Sequence, residues 1–213
     1  IIWNEILNRR LLSSQGAAAR RNLIEKLLTS SSEKDLGIIG YPPERSMYES
    51  VIKRSNLHYQ GKDGSWVLEI PKNDPHNLTP SFEAISNIIF TSTPEIHRVE
   101  DIYTHLRLPP YGLTDGFLPV LFCLFMIQHK NEVTLYREGS LLPDPGIPDW
   151  EILLRRPELF SVSGCKVSGS LQSIINRFAK GYQVEPYAMP VVRALVRGIN
   201  SLPDHSLKTN MLS

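Results

Sequence analysis

The chain has 213 residues, 41% of them hydrophobic, with 23 Lys and Arg against 22 Asp and Glu for a formal net charge of +1. That length can bury a real core as one domain or two small ones, and the composition is ordinary for a globular protein. Near-neutral charge along the chain excludes a basic arm or an acidic tail, and with it long-range attraction to nucleic acid or anionic lipid.

The chain begins without Met in what reads as mid-helix, IIWNEILNRRLL, with Ile2, Ile6, Leu7 and Leu11 at helical spacing. That beginning and the polar ending LPDHSLKTNMLS imply a piece of a longer protein. Asn4, Glu5 and Asn8 interrupt the apolar residues too soon for a signal peptide. A second apolar set, Leu23, Ile24, Leu27 and Leu28, predicts a helix, with Ser13–Gly16 as a joint or part of one longer helix. The Ser-rich stretch 29–34 breaks it. Gly37–Pro43 is an extended turn, because each proline biases its predecessor away from helix. Pro43-Glu44 then opens a helix carrying Met47, Tyr48, Val51 and Ile52 toward a core.

Residues 58–71 (HYQGKDGSWVLEIP) predict a hairpin about a Gly-Lys-Asp-Gly turn, and 74–78 a loop. Phe82, Ile85, Ile88 and Ile89 mark the next helix. A helix over 98–106 places Val99, Ile102, Tyr103 and Leu106 on one stripe. Pro109 and Pro110 forbid its continuation, and Gly112 supplies the positive φ of a tight reversal. Asp115 is the expected N-cap of the helix that follows, FLPVLFCLFMI, which is apolar on every side and so must be packed on every side. A strand over 132–136 suits a wing or sheet edge. Beyond it the expected order is a Pro-rich crossing at 142–148, a helix over 149–156, a strand near 161–167, and helices over 171–178 and 191–200.

Helix, tight turn, apolar helix and strand together suggest a winged-helix-like module. A helix that reads DNA needs a face of Arg, Lys, Asn or Gln, and none of these lies between Gly116 and Ile127. The helix at that position is therefore expected to be buried, favouring protein contact over sequence-specific DNA binding. The basic residues Arg20, Arg21, Lys53, Arg54, Lys130, Arg137, Arg155 and Arg156 are candidate phosphate-backbone contacts if several share one surface. Trp3, Ile6 and Leu7 are candidate interface residues, since apolar side chains at a chain end commonly mark one.

Candidates for chemistry are weak. Gly37-Ile38-Ile39-Gly40 matches a GxxG pattern, but prolines follow at once and a turn is the better reading. Gly164–Ser170 (GCKVSGS) spaces its glycines like a phosphate loop yet lacks the Lys-Ser/Thr after the second glycine; Ser170 reads as a helix N-cap there. His97 and His105 can share a helix face, but no carboxylate or Cys completes a zinc site. Cys123 and Cys165 lie in unlike contexts, as idle thiols in a reducing compartment do. No catalytic residue, cofactor or metal site is expected, and the apolar run 117–127 is too short to span a membrane.

Four segments, GYPPERSMYESVI, PPYGLTDGFLPVL, VTLYREGSLLP and LLRRPELFSV, resemble the C-terminal region of large bacterial P-loop ATPases of phage-defence and DNA-processing islands, BREX-type systems among them. The resemblance covers roughly residues 37–165. It implies a nucleotide site well upstream, so no functional residue carries over and no ATPase activity is implied for this chain itself. The expected fold is mainly α with short β elements (α+β), a helical region around a winged-helix-like core. Its expected segments are 1–36 (helical, continuing an upstream domain), 37–95 (helix, hairpin, helix), 96–170 (the winged-helix-like module) and 171–213 (C-terminal helices and tail). The expected function is a cytoplasmic, non-catalytic interaction region. Its partners would be the upstream ATPase domain or other subunits of the same complex, with DNA as the alternative and no membrane.

Overall fold

The computed structural model describes residues 4, 7–9, 11–70, 74–91, 95–165 and 169–201. They form a mixed α+β fold of eight α-helices and two small sheets. Of the expected N-terminal helix, residues 1–3, 5 and 6 lie outside the described residues; Leu7 and Asn8 form a turn, with the Asn8 amide donating to the Asn4 carbonyl at 2.9 Å, and α1 (Ser14–Thr29) begins after Ser13. Ser13 is the joint because its Oγ accepts from the Gly16 amide at 3.2 Å. Ala19, Leu23, Ile24 and Leu27 form the buried stripe of α1.

After α1 the chain makes a left-handed turn through Asp35, Leu36 and Gly37, with φ of 52°, 55° and 63°. Left-handed backbone is costly for Asp and Leu. Two contacts hold it: Leu36 is fully buried, and the Asp35 carboxylate takes Arg45 and Lys53, each at 3.2 Å. Helix α2 (Pro43–Met47) starts on its proline as expected and continues as a π-helical turn, Tyr48–Lys53, whose Tyr48, Val51 and Ile52 are buried. The hairpin β1 (His58–Gln60) and β2 (Trp66–Leu68) follows.

The rest of the core is built from α3 (Thr79–Ile89), β3 (His97–Arg98), α4 (Val99–Arg107), α5 (Leu118–Gln128), β4 (Val133–Arg137), β5 (Ser140–Leu142), α6 (Ile147–Arg155) and β6 (Phe160–Gly164). The second sheet has the order β3-β6-β4-β5, antiparallel throughout. Strand β6 is central, pairing Val162 with both His97 and Leu135. Strands β3 and β5 have two and three residues, too short for a periodic signal, and neither was expected. His97 therefore sits on β3, while His105 lies on α4 with its ring 5.5 Å from Tyr111, so the two do not share a helix face.

Leu7 through Val162 contribute to one contiguous core, to which the expected segments 1–36, 37–95 and 96–170 all supply side chains. Beyond it lie α7 (Ser170–Tyr182) and α8 (Ala188–Asn200), packed on each other. Gly169 stands at the N-cap of α7, and Ser170 is its first helical residue rather than the cap. Two glycines set close approaches. A Cβ on Gly116 would lie 2.2 Å from the Leu7 carbonyl oxygen, and one on Gly164 would lie 2.7 Å from the Ile89 carbonyl oxygen.

Candidate interaction surface

The reversal before α5 follows the expected chemistry. Gly112 has φ 59°, and the Leu113 amide returns to the Leu106 carbonyl at 3.0 Å. Asp115, however, is not the cap. Phe117 occupies that position without a side-chain hydrogen bond, and Thr114 supplies the carbonyl that accepts from the Phe117 and Leu118 amides. The Asp115 carboxylate instead accepts from Arg107 Nε at 2.7 Å, and Arg107 Nη1 also reaches Glu100 at 2.7 Å. A carboxylate with a guanidinium within reach is held there in preference to a backbone amide.

Helix α5 is buried from Leu118 through Met126. Its walls are specific: Phe122 meets Tyr103 edge-on at 5.9 Å between centroids and Trp150 at 6.3 Å, and Phe125 meets Phe90 at 6.4 Å. Burial pushes the Cys123 thiol far above its ordinary range, so it stays protonated and unreactive. No face of α5 is left to enter a nucleic-acid groove.

Five of the eight candidate basic residues have partners within the chain. Arg20 is largely withdrawn from solvent, and its Nη1 donates to the Asp115 carbonyl at 2.8 Å and the Gly116 carbonyl at 3.4 Å. Arg21 lies 3.6 Å from Glu151, Lys53 pairs with Asp35 and Glu49, Arg137 with Asp149 at 2.7 Å, and Arg156 with Glu158. Each pairing offsets charge that a phosphate contact would need. Arg54, Lys130 and Arg155 are exposed and form no ion pair among the described residues.

Of the candidate interface residues, Trp3 and Ile6 lie outside the described residues. Leu7 is fully buried in this chain's own core. It is fastened by the Asn4 carboxamide oxygen, which accepts from the Leu7 amide at 2.9 Å, and by Thr114 Oγ1, which donates to the Leu7 carbonyl at 2.7 Å. Nothing in the sequence ties position 7 to positions 114 and 116, more than a hundred residues away.

Large apolar side chains are exposed singly at Leu11, Ile39, Tyr41, Ile96 and Leu108, whereas α7 carries a row of them. Leu171, Ile174, Phe178 and Tyr182 are 60%, 46%, 45% and 45% exposed, at a spacing that places all four on one face. Helix α8 packs on α7, on which Ala179 is buried. Ile174, Arg177, Phe178, Gly181 and Tyr182 line a shallow cavity of about 360 Å³. Helix α8 anchors the pair to the core: the Met189 amide donates to the Asn131 carbonyl at 3.3 Å, and Arg193 donates to the carbonyls of Pro143 and Lys130, both at 2.8 Å. The α7 stripe was readable as Leu171-x2-Ile174-x3-Phe178-x3-Tyr182, but the same spacing equally describes a buried helix.

No group of three or more His, Cys, Asp or Glu able to hold a metal occurs among the described residues. In the glycine-rich segment 164–170, Lys166, Val167 and Ser168 lie outside the described residues, and Cys165 donates its amide to the Glu132 carbonyl. No helix among the described residues is long and apolar enough to cross a membrane. Comparison with protein-family models, curated proteins and solved structures finds no match.

Proposed function

We propose that the chain is a non-catalytic docking module, built on a winged-helix-like core, of a larger cytoplasmic bacterial P-loop ATPase in phage defence or DNA processing. The observation that carries the docking role is the pairing of a wholly buried α5 with an exposed apolar stripe on α7. A contiguous apolar surface held on a rigid helix is the usual mark of a protein contact. The order helix, strand, helix, helix, strand and returning central strand supports the winged-helix comparison. In that comparison α5 takes the recognition-helix position, and β5 with α6 stands in the wing between β4 and β6. The parent ATPase and its setting rest on the sequence resemblance alone. The partner is the upstream ATPase domain or a neighbouring subunit.

The test is co-sedimentation of the chain with the ATPase domain and neighbouring subunits, at low and high salt. Replacing Ile174 and Phe178 with serine abolishes association at both, because apolar docking is not screened. The alternative is phosphate-backbone binding, favoured by Arg54, Lys130 and Arg155, which form no ion pair among the described residues. Under it, affinity for duplex DNA falls steeply with salt and with neutralisation of those three, and the serine changes are silent.

A further inference from the structure

Helix α7 carries a charge as well as an apolar stripe. It contains Arg177 and Lys180 and no carboxylate. Over 170–200, which adds the connection and α8, those two cations are joined by Arg193 and Arg197 against Glu185 alone. Arg193 and Arg197 are held by Asp144, and Glu185 accepts from the Asn131 carboxamide at 2.8 Å. Arg177 is exposed and forms no ion pair among the described residues. Three residues after Ile174 and four before Gly181, it borders the stripe and lines the shallow cavity with them. Gly181 leaves a notch on that border, where an added Cβ would meet nothing within 4 Å. Lys180, two residues past Phe178 on the helix, lies away from the stripe.

We propose, on the docking role argued above, that the occupant of the α7 face is an acidic amphipathic helix of a partner protein. Its large apolar side chains cover Ile174, Phe178 and Tyr182, one of them entering the notch at Gly181. A Glu or Asp one turn away pairs with Arg177, whose charge nothing in the described chain offsets. This is a helix laid in a groove, where apolar anchors supply affinity and a border charge selects the partner. Two other occupants fit less well. A second copy laid antiparallel about the middle of the stripe brings Arg177 beside its own counterpart, a like-charge contact. An anionic membrane is bound by helices with several cations along the polar border, and here Arg177 stands alone on it.

The test selects ligands for the immobilised full chain from a random linear peptide library, and repeats the selection with Phe178→Ser and Arg177→Glu. Both variants replace exposed side chains, so their Tm matches the parent's. The parent enriches peptides with large apolar residues at helical spacing and a Glu or Asp beside them. Phe178→Ser enriches none of these, and Arg177→Glu enriches Lys- or Arg-bearing peptides in their place. A synthetic peptide of the consensus sequence binds Arg177→Glu roughly tenfold more weakly, and exchanging its acidic residue for Lys restores the affinity. Peptides that need Phe178 but show no acidic preference, or bind Arg177→Glu unchanged, overturn the proposal and leave the docking role standing. If no selected peptide depends on Phe178, both fall. Two further outcomes overturn it by naming another occupant. Co-sedimentation with phosphatidylcholine vesicles only when they contain phosphatidylserine, lost on Phe178→Ser, gives the face to a membrane. A dimer in sedimentation equilibrium, lost on the same change, gives it to a second copy.

Discussion

Helices α5 and α7 are close in length, 11 and 13 residues, and meet opposite fates. The first is apolar on every side and is enclosed by α1, α3, α4 and α6 side chains. The second is apolar along one stripe, and α8 covers a different side, so the stripe stays in water. Apolar content alone thus marks the core. An apolar stripe that the finished fold fails to cover marks where something else belongs. Covering it would recover about 1.5–3 kcal/mol for each large side chain fully buried.

The comparison breaks hardest at α5. Phe122→Ala removes the ring that meets Tyr103 and Trp150 and should cost about 3–5 kcal/mol in urea unfolding. The same enclosure makes Cys123 inert to a thiol reagent under native conditions while half-buried Cys165 reacts. Rapid labelling of Cys123 would show that α5 is not enclosed. Gly164→Ala forces a methyl toward the Ile89 carbonyl and the Phe90 ring, and should cost about 1–3 kcal/mol.

A smaller effect comes with pH. His58 is buried, with Nε2 donating to the Ser31 carbonyl at 3.0 Å and Nδ1 accepting from the Tyr48 hydroxyl at 2.9 Å. The tautomer follows because a carbonyl can only accept. Burial lowers its pKa below the ordinary 6.5, partly opposed by the Ser31 bond and the Asp35 charge. The unfolded chain therefore takes up the proton first, so stability present above pH 6.5 declines as pH falls below it. Replacing His58 with Gln should flatten that part of the stability profile. Asp35 acts at lower pH. Its desolvation is outweighed by the hydrogen bond from Lys53 and the charges of Lys53 and Arg45, which hold its pKa below the ordinary 3.8. Its contribution is present above that value and is lost as pH falls through the folded pKa.

The smallest expected change in stability is at α7. Phe178→Ser should move unfolding by no more than about 0.5 kcal/mol, as at other exposed positions. A cost near that of Phe122→Ala would mean that α7 belongs to the core, and the contrast between the two helices would be lost.

Local chemistry determined much of this fold from the sequence. The proline starting α2, the Gly112 reversal, the hairpin at 58–71 and the all-round apolar pattern of α5 each follow from constraints acting over a few residues. What tertiary structure decided are the events in which distant groups compete. Asp115 forgoes its cap for Arg107, and the Leu7 carbonyl lodges against Thr114 and Gly116. His97 pairs on the sheet with Val162, Arg20 turns to backbone carbonyls, and the stripe of α7 remains uncovered. A side chain's periodicity states which face is apolar. Only the packing of the other elements states whether that face is covered, because burial belongs to the whole chain and not to the segment.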